Sequence, residues 1–239
     1  MNKMIMQNDN FMKSEEIMLN SFDADTRFKT LLKLASEEAY YLPPEKPLAN
    51  MHFHSFFSYN SENWSPSRIA WEAKKSGLFA AGVIEFDVID GLDEFLNAGE
   101  LLSLRTAVGV ETRTFFAKFA DMEINSPGEP GVNYAIAAGF SKKLATGSNA
   151  EKTLLDFKKR ATQRNIALIR RINEKIPSIA VDYEKDVIPL TPSGNPTERH
   201  IVTAYIAKSE KINTDSNANA KFWSDVSGKP ESEVLSIMN

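Results

Sequence analysis

Asn50-Met51-His52-Phe53-His54-Ser55-Phe56 is the stretch on which the reading of this chain turns. It holds two of the three histidines, spaced His-x-His. Read as a first strand, it places residues i and i+2 on one face. His52 and His54 then point the same way, as two ligands of one metal ion do. Alone, such a pair also fits a surface or structural role, and its neighbours in sequence have to decide.

Downstream, Ser58 to Asn63 is a polar loop, and Ser65-Pro66 sets an N-cap followed by proline at the first helical position. The helix runs to about Ser76, with Ile69, Ala70 and Ala73 inward, and Gly77 ends it. Leu78 to Phe86 reads as a buried parallel strand. Asp90-Gly91 opens a helix with Leu92, Phe95, Leu96 and Leu102 on one face, and Asp90 is read as its cap. Arg105 to Glu111 is again a strand. The order is β-α-β-α-β, and each strand ends in ligand-capable residues: His52/His54, Glu85/Asp87, Glu111. In parallel α/β barrels, sites are built at that end of the strands.

Upstream, apolar residues recur at helical spacing from Asp25 to Tyr41, with Asp23 or Asp25 as cap and Pro43-Pro44 as stop. Met1 to Asn20 lacks a continuous apolar core of signal-peptide length and is expected to fray. Past the third strand, residues 124–131 form a turn-rich loop and Tyr134 to Phe140 a further apolar strand. From about Ala150 the pattern is helical, and its many lysines and arginines read as a solvated face. Val187 to Pro196 is a proline-punctuated loop, Thr197 to Ser209 a helix, and Gly228 to Glu231 the start of a last short helix. The expected divisions are 1–46 (tail and leading helix), 47–147 (barrel portion) and 148–239 (helical subdomain).

The 239 residues are 42% hydrophobic and 25% charged, enough for a sizeable core, and the net charge of −4 gives no broad field for a polyanion. Nucleic acid is therefore not expected as a partner. Cysteine is absent, so a metal site must use imidazole and carboxylate. No run approaches the roughly 18 apolar residues of a membrane span. The expectation is a cytoplasmic protein without a membrane partner.

His52-Phe53-His54, the Ser65-Pro66 helix, Val83 to Gly91 and Gly109-Val110-Glu111 together resemble the PHP (polymerase and histidinol phosphatase) family. The resemblance covers about residues 48–116. It implies a partial (β/α)7 barrel of parallel strands with a helical insertion over 150–239, and divalent metal (Zn, Mn or Fe) at the C-terminal ends of the strands. Carried over, His52, His54, Glu111 and Glu85 are metal ligands, Glu111 bridging two ions, and Glu111 and Asp87 are catalytic. Arg113, Asn60, Arg199 and His200 become substrate contacts. The chain departs from the pattern at Tyr59, Phe86 and Ala135, where the family carries ligands. The family's late strands would follow the insertion, and the chain is read as an N-terminal piece of a longer protein.

The implied activity is metal-dependent hydrolysis of a phosphate ester, the substrate being a phosphorylated small molecule or nucleotide. The rival reading is a degenerate PHP-like domain that acts as a binding or structural module.

Overall fold

The computed structural model describes residues 15–38 and 42–238. The chain divides into two compact units, residues 1–158 and 159–239.

In the first unit a four-stranded sheet runs in sequence order: β1 (Lys46–Phe53), β2 (Leu78–Phe86), β3 (Arg105–Phe115) and β4 (Val132–Ala138). The first three strands are parallel, as expected of a partial α/β barrel. The fourth is antiparallel to β3, with Glu111 opposite Ile136 and Phe115 opposite Val132. The expected apolar strand over 134–140 is thus present over Val132–Ala138, and its direction, which the sequence left open, is antiparallel. Between β3 and β4, residues 116–131 carry only a short 3-10 turn at Ala117–Phe119 and no helix of the kind a parallel crossover uses.

Two of three helices in this unit, α2 (Pro66–Lys75) and α3 (Leu92–Leu102), pack on the sheet, and α1 (Ala24–Glu38) packs on both of them. Ser65 caps α2, its Oγ accepting from Arg68 N at 2.9 Å, and Pro66 occupies the first turn. Gly91, not Asp90, is the N-cap of α3, and it makes no side-chain cap bond. Residues 39–41 of the expected leading helix lie outside the described residues. Trp71, Phe95, Leu92 and Ile69 pack on Ala81, Val83 and Val108 of the sheet. Arg27 is buried against Glu94: its Nε donates to Oε1 at 2.9 Å while Ser67 N and Oγ donate to the same oxygen. One ion pair thereby ties α1, α2 and α3 together.

The N-terminal segment departs from the expected fraying. Residues 15–18 form a helical turn, and Leu19 is fully buried in the core. Glu16 accepts from Trp71 Nε1 at 2.8 Å and from Lys75 Nζ at 2.5 Å. Burial works against a charge there, but Lys75, Trp71 and Arg68 outweigh it and hold the Glu16 carboxyl below its usual value. Residues 1–14 lie outside the described set.

The second unit is helical. It takes up the C-terminal part of α4 (Asn149–Lys175), then α5 (Glu198–Ile212), α6 (Ser216–Ser227) and α7 (Glu231–Met238). Its core gathers Ile169, Ile179, Val187, Ile201 and Tyr205. Tyr205 Oη donates to Asn173 Oδ1 at 2.7 Å, and Asn173 brackets Val181 through its N–H and C=O, which fixes the connection after α4. Among the described residues no helix is long and apolar enough to cross a membrane.

Candidate metal centre

β1 leaves regular pairing between Asn50 and Phe53, where its register with β2 shifts. Such irregularities re-aim a side chain at the end of a strand. Here Asn50 Oδ1 accepts from His52 N at 3.1 Å, and the His52 and His54 rings lie 5.0 Å apart. β3 runs alongside β2 and brings Glu111 opposite Phe86. His52 Nε2 lies 3.0 Å, and His54 Nε2 3.6 Å, from the same Glu111 Oε2. One ligand atom from each of the three residues falls within 4.8 Å of the others.

The donor set fits a divalent ion. Bonds of about 2.0–2.2 Å from one ion place neighbouring ligand atoms roughly 3–3.5 Å apart, and the observed separations bracket that range. Burial holds His54 below the usual imidazole value, although Glu111 pulls the other way. The ring is therefore neutral at pH 7 and keeps a lone pair for a metal. Phe86 stacks on it at 4.2 Å with 16° between the planes, fixing the imidazole's orientation. Phe86, where the resemblance led one to expect a ligand, packs here against the His54 ring. Ala135, on β4, pairs with Thr112 and offers no ligand.

The other expected site residues are not in this cluster. Glu85 is one residue from Phe86, so alternation sends it to the opposite face. Its carboxylate is fully buried and accepts from Ser55 N at 3.2 Å, from Ser55 Oγ, and from Ser58 Oγ at 2.5 Å. Glu85 thereby braces the turn that begins beside His54. Gly91 is needed there: a Cβ on it would come within 2.9 Å of Pro66 and 3.4 Å of Glu85 Oε1. Asp87 adopts a left-handed backbone (φ 61°), tolerated by aspartate. Its N–H donates to Glu111 O at 2.9 Å and its Oδ1 accepts from Thr112 Oγ1 at 2.7 Å. Asn60 is spent on its own loop: its Oδ1 accepts from Glu62 N and Trp64 N, and its Nδ2 donates to His54 O at 3.0 Å. Arg113 pairs with Glu129, a loop carboxylate that the sequence reading passed over as part of a turn.

Arg199 and His200 belong to the second unit. Arg199 is exposed, and His200 is buried in a capping box of α5, its Nδ1 accepting from Thr197 N at 3.0 Å. Burial pushes the His200 imidazole down to about 4. The unfolded chain, with its ordinary value near 6.5, then binds the extra proton between these two pH values. Stability from this group is complete above about pH 6.5 and is lost as pH falls towards 4, by roughly 2–3 kcal/mol. His200→Gln keeps a capping-box residue and is expected to flatten that slope in denaturant unfolding at stepped pH.

The half-barrel that carries the cluster defines a class at the level of fold, a partial α/β barrel shared with a solved metal-dependent phosphoesterase. Among solved structures, the chain is similar to a putative metal-dependent phosphoesterase from Bifidobacterium adolescentis (TM-score 0.54, 17% identity, 79% of this chain and 58% of that one). It is also similar, more distantly, to an amidohydrolase from Chromobacterium violaceum with bound sulfate and no metal (TM-score 0.47, 12% identity, 73% and 53%). The chain thus spans little more than half the length of either protein. No family model and no curated protein matches the sequence.

Proposed function

We propose that the first unit holds a divalent cation (Zn, Mn or Fe) through His52, His54 and Glu111 and hydrolyses a phosphate ester. The observation that carries this reading is the convergence of two imidazoles and one carboxylate within 4.8 Å at the C-terminal ends of parallel strands. When bound, such an ion supplies an activated water and neutralises phosphoryl oxygens. His52, His54 and Glu111 would hold it, with Phe86 fixing the His54 ring by stacking. Asp87, engaged by Thr112 and by the Glu111 carbonyl, holds the ends of β2 and β3 together. Arg113 receives the anionic group of a phosphorylated small molecule or nucleotide.

In the same reading the chain is a cytoplasmic member of the PHP family, with residues 148–239 as an inserted helical subdomain. The rival, a degenerate binding module, draws on Phe86 and Ala135. With neither able to ligate, His52, His54 and Glu111 form the one metal-competent group among the described residues.

Hydrolysis of a generic aryl phosphate by the full chain with added manganese distinguishes the two. The hydrolase reading expects turnover that falls at least about 100-fold in Glu111→Gln. Bound metal without turnover by the unaltered chain would favour the module.

A further inference from the structure

Arg113 stands two residues beyond Glu111 on β3 and shares its face. The spacing puts the two about 7 Å apart along the strand. Its Nη2 donates to Glu129 Oε1, while Ser126 Oγ donates to Glu129 Oε2 at 2.5 Å. Arg113 Nε is shut off from solvent and has no acceptor. A guanidinium presents Nε and Nη2 as a fork that takes two oxygens of one carboxylate or phosphate side by side. Glu129 fills half of that fork because Ser126 holds its other oxygen. A buried donor left in this state calls for an explanation.

The backbone of this loop is held in place: Glu129 N–H donates to Ser126 O at 3.2 Å, and Gly131 N–H donates to Met122 O at 2.8 Å. Displacing the Glu129 carboxylate therefore takes only a side-chain rotation, with the loss of its contacts to Arg113 and Ser126.

We propose that Glu129 is a built-in stand-in for the substrate's phosphoryl group. It holds Arg113 in place until an incoming phosphoryl group displaces it and takes the guanidinium fork with two oxygens. Glu129 is then a specificity-determining residue. It penalises weakly charged esters, which compete poorly with a carboxylate, and admits dianionic phosphomonoesters. This inference rests on the phosphoester reading of the neighbouring cluster.

The test uses inorganic phosphate as the probe, titrated calorimetrically into chelator-treated full chain, so that no metal contributes. Glu129→Gln is expected to bind phosphate about 2–5-fold tighter than the unaltered chain, the scale of a partly exposed ion pair. Arg113→Lys is expected to bind at least tenfold more weakly, and adding Glu129→Gln to it to restore nothing. Equal binding by Glu129→Gln and the unaltered chain, or tightening that persists without Arg113, would overturn the proposal. The Arg113 Nε–H resonance gives a second readout that does not depend on the variants. It should shift on phosphate addition as the orphaned donor gains an acceptor, and an unmoved resonance at saturation would overturn the proposal as well. Because metal is absent throughout, success here alongside a failure to hydrolyse esters with manganese would count against the hydrolase reading and leave the Arg113–Glu129 device standing.

Discussion

Trp71→Ala is expected to destabilise the first unit by about 3–5 kcal/mol, the range for emptying a large buried aromatic site. Trp71 has no exposed surface and sits among Leu31, Leu34, Phe95 and Val83. It also donates to Glu16, the residue through which the N-terminal segment closes over the core. Truncation therefore leaves a cavity and removes one of the donors that offset the burial of Glu16. Denaturant unfolding read by circular dichroism measures the loss, and Trp71→Phe, which keeps most of the volume, should cost clearly less. A Trp71→Ala protein as stable as the unaltered chain would mean that this helix layer does not hold the sheet.

The second large effect is expected at Glu85. Burial, with a smaller push from Asp90, drives its carboxyl up to about 7, against the hydrogen bonds from Ser55 and Ser58. The folded value lies above the ordinary 4.5. Stability from this group is therefore complete below about pH 4.5 and is lost as pH rises through 7, by about 3 kcal/mol. Glutamine has nearly the same shape and no proton to lose. Glu85→Gln should be no more stable than the unaltered chain at pH 4.5 and clearly more stable at pH 8.5. Parallel stability curves for the two proteins across that range would show that Glu85 is not a buried neutral acid. The effect reaches the metal centre only indirectly, because Ser55 directly follows His54.

The parts of the fold that were legible before the structure owe this to short-range chemistry. Ser65-Pro66 and Gly77 bound α2 because a cap, a fixed φ and a left-handed stop act within a few residues. Leu78 to Phe86 is recognisable because a strand covered on its helix side and hemmed in by neighbours is apolar at nearly every position. Direction is a different matter: an apolar run reads the same in either sense, and only the pairing of β4 with β3 decides it. The α6 helix was passed over, although Asp215 caps it and Gly228, at φ 71°, ends it. Its face is polar enough that periodicity gave little.

The candidate cluster was legible because His52 and His54 lie at the end of β1 and Glu111 lies where the parallel pairing of β2 and β3 ends, so that topology brings them together. Glu85 was misplaced by attending to the end of the strand and not to its parity. Ala81 and Val83, at even spacing before it, already face the core. Glu16 carries no local sign of burial, since its partners Trp71 and Lys75 come from a helix some 55 residues on. His200 was read, with Arg199, from a likeness to an Arg-x-x-His segment, and its spacing from Thr197, which makes the capping box, was not weighed. Glu129 was hidden for the same reason as the direction of β4. Only the hairpin brings its carboxylate to Arg113.

The account stands on one ion held by three side chains, and equilibrium binding of manganese and zinc to the full chain tests that most directly. The prediction is one ion per chain, with affinity reduced at least about 100-fold in both His54→Ala and Glu111→Gln. Unaltered chain that takes up neither metal, or variants that bind as well as it does, would contradict the account.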